Sequence, residues 1–139
     1  MSYGQDLQGS ARRHLRAATE VHQVVGAGTQ PGCKAVAGYL YGLAGELAVK
    51  SLMRKSGMAP LPPERRRDDP YYAHFPELKT RLRDMAQGRR SGELLAIANS
   101  SHFNNWSTDM RYAPTADIQS GWIDAWRASA HSLVEIMDA

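Results

Sequence analysis

The chain has 139 residues, 42% hydrophobic and 22% charged, with 17 basic against 14 acidic side chains and a net charge of +3. That is enough for one domain with a real core and too little for two. The mildly basic balance permits an anionic partner without demanding one. A single cysteine, Cys33, excludes an internal disulfide and a cysteine-rich zinc site.

The start, MSYGQDLQGS, is polar and reads as carrying no signal peptide. The first predicted helix runs from Leu7 to Val25, with Leu7, Ala11, Leu15, Ala18, His22 and Val25 at helical spacing. Gly26-Ala-Gly-Thr-Gln-Pro-Gly32 is a turn-rich break. Cys33 reads as a small apolar residue at the next helix start. Ala35 to Met53 is the longest apolar run. Val36, Leu40, Leu43 and Leu47 share one face, and Gly38, Gly42 and Gly45 lie beside them. A glycine costs a helix interior about 1 kcal/mol relative to alanine, so three of them predict close packing. Glu46 stands four residues before Lys50 on this otherwise apolar helix and needs a partner. These charges and glycines also argue against a membrane span. The helix is expected to stop at Gly57.

Residues 57–73 read as an irregular loop inside a single domain spanning 1–139. Prolines at 60, 62, 63 and 70 forbid a helix, and Arg65-Arg66-Arg67 is followed by Asp68-Asp69. Such a run is ordinarily a solvated loop; a phosphate-facing loop is the sharper alternative. Phe75, Leu78, Leu82 and Met85 predict a third helix. Leu95, Ala98, His102 and Asn105 predict a fourth. Thr115 is a candidate N-cap for the last, with Asp117 in its first turn. Ile118, Trp122, Ala125, Ser129, Leu133 and Ile136 mark that helix's apolar stripe. No stretch alternates with period two. The expected fold is all-α: an antiparallel four-helix up-and-down bundle with a short additional helix.

Chemistry-bearing motifs are sparse. No glutamate stands three residues before a histidine as a di-iron bundle requires, and there is no nucleophile elbow, phosphate loop or dinucleotide fingerprint. His14 and His22, two turns apart, make a weak pair. No metal site or cofactor is expected. The stretch Ser100 to Thr115, SSHFNNWSTDMRYAPT, is dense in polar and aromatic groups. Arg111 is its isolated cation, and Glu46 is the expected counter-charge. Trp106, Asp109 and Tyr112 are expected to line the cleft beside that pair. Trp122 and Trp126 read as core or interface residues.

Four patterns in order resemble the HEPN family, the nucleotide-binding helical domain of higher eukaryotes and prokaryotes. They are Ala11 to Glu20; the Tyr39 to Leu52 segment with Glu46 and Lys50; His74-Phe-Pro-Glu-Leu78; and Trp106-Ser-Thr-Asp-Met-Arg111-Tyr112. The resemblance covers nearly the whole chain. It implies a four-helix bundle, a homodimer, and, in many members, metal-independent ribonuclease activity in toxin, defence and RNA-processing systems. Those members carry an arginine followed after four to six residues by a histidine at the start of the last helix. Here Arg111 matches the arginine, but Ala116, Asp117 and Ile118 occupy the histidine window. The pairs Arg16–His22 and Arg67–His74 satisfy the bare spacing in the wrong places.

Three readings follow. The first is a dimeric HEPN-like module that associates with a nucleotide or RNA, without strong nuclease activity, as in a toxin–antitoxin or defence system. Its binding residues would be Glu46, Trp106, Asp109, Arg111 and Tyr112. The second is a ribonuclease of unusual makeup, with Arg111 and either Asp117 or His102 as catalytic residues. The third is a non-catalytic subunit that pairs with a nucleotidyltransferase or larger partner through its glycine-lined helix or its tryptophans. All three place it as a soluble, cytoplasmic protein.

Overall fold

Asp6 opens the first helix, α1 (Leu7–His22): its carboxylate accepts from the amide of Gly9 at 2.8 Å. The computed structural model describes residues 4–24 and 32–139. The expected end of the first helix at Val25 and most of the Gly26–Gly32 break lie outside them. Gly32 itself begins α2 (Gly32–Lys55), with Cys33 half-buried in its first turn. Gly57 ends α2 at φ +90°, and the amide of Met58 reaches back to the carbonyl of Met53 at 3.0 Å. A residue with a Cβ would be strained there, so glycine suits the stop.

The remaining helices are α3 (Glu77–Met85), α4 (Ser91–Ala98) and α5 (Ser120–Asp138). Short 3-10 turns occupy Pro63–Asp68, Pro70–Tyr72, Thr108–Tyr112 and Thr115–Asp117. The described residues are all-helical and contain no strand. None of the described helices is long and apolar enough to cross a membrane.

Helix α2 is the axis of the core. It packs along both α1 and α5, and α3 pairs with α4. Where α1 and α2 pack, small residues let the helices approach: Ala11 and Ala18 of α1 and Ala37, Ala44 and Ala48 of α2 are all fully buried. Three long helices thus carry the packing where four were expected. The fourth predicted helix does not reach Asn105: it closes with Asn99 as its cap, and left-handed residues at Phe103 (φ 57°) and Asn105 (φ 70°) keep it from resuming. It ends at Ala98, and the chain to Trp106 wraps back onto α2.

The two faces of α2 are buried to different depths, and the close packing expected at the glycines is present. Val36 is 53% exposed, and Leu40, Leu43 and Leu47 are half-buried. The buried face is the glycine one. A Cβ on Gly38 would meet Trp126 at 2.9 Å, one on Gly42 would meet the Trp106 indole, and one on Gly45 would meet Phe103. Three aromatic rings fill the space that the missing side chains vacate. Each such ring contributes on the order of 1.5–3 kcal/mol by leaving water.

Helix α5 is also shifted from expectation. Thr115 does not cap it: Thr115–Asp117 form a separate turn after Pro114, and α5 begins at Ser120. Its buried stripe is Ile123, Trp126, Ser129, Ala130, Leu133, Val134 and Met137, so Ala125 faces outward and Trp122 is half-buried.

The 57–73 segment is tied down through Asp69. This buried carboxylate accepts from the amides of Leu61 and Tyr71 at 3.0 and 2.9 Å, and the Tyr71 hydroxyl donates to the carbonyl of Met58 at 2.7 Å. Arg65, Arg66 and Arg67 stay exposed. The Arg66 guanidinium lies 4.9 Å from the centre of the Tyr72 ring.

Candidate functional site

Glu46 and Arg111 do not meet. The Glu46 carboxylate is buried and already satisfied: Lys50 Nζ donates to one oxygen at 3.0 Å and His74 Nδ1 donates to the other at 2.7 Å. Lys50, one turn along α2, is itself buried. His74 arrives from the segment ahead of α3, so its partner is read only from the fold. The expected hinge between Glu46 and Arg111 is therefore replaced by a Glu46–Lys50–His74 cluster. Its physical reason is proximity: Lys50 rides on the same helix, and a buried carboxylate takes the nearest strong donors.

Arg111 is exposed at the end of the turn Thr108–Tyr112. Its Nε donates to the carbonyl of Thr108 at 2.9 Å, and its guanidinium lies 5.9 Å from the Tyr39 ring centre and 5.1 Å from that of Tyr112. It makes no ion pair among the described residues. The guanidinium stands over both rings, and among the described residues only its Nε makes a hydrogen bond, which leaves the terminal nitrogens available for an acceptor.

Behind Tyr39 stands Trp106. The two rings stack at 5.5 Å with 13° between their planes. Trp106 is buried, and its indole nitrogen donates to the carbonyl of Gly38 at 3.1 Å. Phe75 meets Trp106 edge-on at 6.4 Å and stacks on Phe103 at 4.9 Å. The aromatic series fixes Tyr39 from the rear, so the position of the ring against Arg111 is set by the core.

Arg111 and Tyr39 border a surface pocket of about 240 Å³ whose walls include Val36, Met110, Thr115 and Ile118. An apolar wall with one free guanidinium and one aromatic ring is suited to a planar group that carries an anionic tail.

The sequence-derived candidates divide around this pocket. Arg111 lines it, and Tyr112 extends the guanidinium's aromatic support while 79% exposed. Trp106 supports the site from within the core and does not line the pocket. Asp109 is exposed on the same turn, and its amide is capped by the Ser107 hydroxyl at 3.2 Å. Asp117 is exposed between Thr115 and Ile118, which do line it. His102 belongs elsewhere: Nδ1 shares a 2.9 Å hydrogen bond with the Ser129 hydroxyl of α5. Burial, and secondarily the Lys79 ammonium, push its pKa down from the ordinary histidine value.

Tyr39 and Met110 were not singled out from sequence. The signal for Tyr39 lay in helical phase, because it precedes Leu43 by four and Glu46 by seven residues. The partner that gives it meaning comes from a non-periodic turn. No set of three or more His, Cys, Asp or Glu side chains among the described residues is arranged to hold a metal ion. Comparison of the chain with family models, with curated proteins and with solved structures returns no match.

Proposed function

We propose that this protein is a HEPN-like helical module, an antiparallel bundle acting as a homodimer, that binds a nucleotide or single-stranded RNA through Arg111. The observation that carries the reading is the guanidinium of Arg111, without a carboxylate partner among the described residues and set over the Tyr39 and Tyr112 rings at the mouth of an apolar pocket. Phosphate would take the terminal nitrogens of Arg111 in the bidentate manner that guanidinium favours. A base would lie against Tyr39 and the apolar wall, because every base has a π face that stacks on an aromatic ring. The pattern of Trp106, Arg111 and Tyr112 that resembles the family supports the same assignment.

Binding is favoured over cleavage for a chemical reason. A ribonuclease needs a group that moves a proton near neutral pH, and histidine is the ordinary choice. No histidine lines the pocket, and His102 is turned to Ser129. Asp117 is exposed and does not itself line the pocket. Docking of a partner on the glycine-lined face of α2 is not supported either, since Trp126, Trp106 and Phe103 of the same chain fill it.

The test is titration of labelled single-stranded RNA and of nucleoside monophosphates into the purified protein in chelator. Saturable binding without cleavage is expected. Arg111→Ala should weaken it at least about tenfold, the size of one charge-assisted phosphate contact of about 1.4 kcal/mol or more, with Arg111→Lys between. Equal affinity in wild type and Arg111→Ala would remove the reading. Cleavage that disappears with Arg111→Ala and Asp117→Asn would replace it with the ribonuclease. Light scattering on the same samples tests the homodimer directly.

A further inference from the structure

A second pocket, of about 230 Å³, opens where three helices converge. Helix α1 supplies Thr19 and His22, with Gln23 just past its end; α2 supplies Lys34 and Tyr41; α5 supplies Arg127. The floor is ordered by a side-chain pair. His22 Nδ1 and the Tyr41 hydroxyl share a hydrogen bond of 2.7 Å, and their rings meet edge-on at 5.5 Å. Tyr41 is fully buried within the protein, and His22 keeps only 14% of its side chain exposed.

The charges around this floor are unbalanced. Lys34 and Arg127 make no ion pair among the described residues, and those residues include every aspartate and glutamate of the chain. An acid, Asp124, stands beside the ring: its carboxylate lies 3.9 Å from His22 Nε2 and is 75% exposed. Two permanent cations and an imidazole from three helices thus share a concave site with one solvated carboxylate. Like charges gathered in a cleft raise the local concentration of anions. The donors are also of the right kind, since arginine offers a planar fork, lysine a point charge, and His22 and Gln23 neutral N–H groups.

We propose that this pocket, separate from the Arg111 site, binds a phosphate group, with Arg127 and Lys34 as its charged ligands and the His22–Tyr41 pair as its floor. The dianion of a phosphate monoester matches two cations in a way that a single carboxylate does not. The phosphate is either inorganic or the terminal group of a nucleotide, which share the same oxygens. Lowered histidine basicity in the free protein agrees with this. Burial depresses the His22 pKa first, Arg127 and Lys34 depress it further, and Asp124 opposes them. An anion seated between the cations and the ring would reverse the contribution of those two cations.

The experiment uses the full chain carrying Arg111→Ala, which weakens the first site as proposed above. Inorganic phosphate, adenosine 5′-monophosphate and adenosine are titrated at constant ionic strength, with the His22 ring resonances followed by NMR at each step. Saturable shifts are expected with phosphate or with the monophosphate, at a Kd on the order of 1 mM or tighter, and none with adenosine. The His22 pKa should rise on saturation. In Lys34→Ala/Arg127→Ala the affinity should fall at least about tenfold, and because both side chains are exposed, helical circular dichroism should be unchanged. Tighter binding of the monophosphate than of phosphate would identify a nucleotide as the source, and equal binding would identify the free ion. Linear, non-saturating shifts, or the same affinity in the double variant, would overturn the proposal. Loss of RNA binding in Arg111→Ala would bear on the first site alone.

Discussion

At the scale of single residues, His102 shows how a candidate catalytic group is assigned by its surroundings. Its ring is hydrogen-bonded to Ser129, and its backbone amide donates to the Ser100 hydroxyl at 3.1 Å. The side chain links the turn after α4 to α5, and burial favours its neutral form. The unfolded chain presents a histidine with a pKa near 6.5. Below that pH the unfolded state binds a proton that the folded state resists, so stability must fall as pH drops. The contribution is fully present above pH 6.5 and is lost as pH falls from there toward the depressed folded value. His22, depressed in the same direction, adds to the slope. Urea unfolding of wild type should therefore show a midpoint that declines from pH 7.5 to pH 5. His102→Gln should decline less steeply. An identical pH slope in the two proteins would mean that His102 titrates alike in both states and that its burial carries no electrostatic cost.

At the scale of the element, α2 is decided by its glycines. Trp106 is fixed by the Gly38 carbonyl, by Tyr39 and by Phe75, so it cannot withdraw from a methyl group added at Gly42. Gly42→Ala raises helix propensity yet should destabilise the fold by about 1–3 kcal/mol or more through overpacking. Gly92→Ala, in α4 with nothing within 4 Å of the new Cβ, should be neutral or slightly stabilising. Denaturant melts of both variants check the pair, and a Gly42→Ala protein as stable as wild type would refute the packing account. The same helix marks what was legible in the sequence. Periodicity identified a helix from the Ala35–Met53 run, its stop at Gly57 and the need for something to press on the glycines. It did not say what would press on them. The true partners, Phe103 and Trp106, come from a stretch with two left-handed residues, where no period exists to read. Tyr39 had a readable phase on α2, but Arg111, the partner that gives it meaning, lies in a non-periodic turn. Arg111 and Tyr112 stood out by composition alone, and their turn geometry did not.

At the scale of the molecule, the short α3–α4 pair must be held to the α1–α2–α5 core, and buried charge does part of that work. Lys79 of α3 is buried and donates to the Ser100 carbonyl at 2.9 Å and to Asn104 Oδ1 at 3.2 Å. Trp126 of α5 donates to the carbonyl of Asn104 at 2.9 Å. The deepest tie is Glu46, whose carboxylate binds Lys50 within α2 and His74 at the approach to α3. Glu46 and Lys50 retain only 6% and 8% side-chain exposure, while His74 keeps 54%. A buried ion pair is weak evidence for net stability, but removal of one partner strands the other. Glu46→Gln preserves shape and leaves the Lys50 ammonium without its counter-charge, at a cost of about 3–5 kcal/mol. His74→Ala removes a half-exposed partner and should cost less, about 1–2 kcal/mol. Glu46→Leu/Lys50→Met removes both charges and should recover most of the loss, because apolar replacement of a buried pair is often neutral. Chemical denaturation of the three variants measures these costs. Hydrogen exchange on Glu46→Gln should locate the loosening first in α3 and the turn after α4, with α1, α2 and α5 protected for longer. A Glu46→Gln protein within about 0.5 kcal/mol of wild type, the range of ordinary surface substitutions, would show that the cluster is solvated in solution and does not tie α3 to α2.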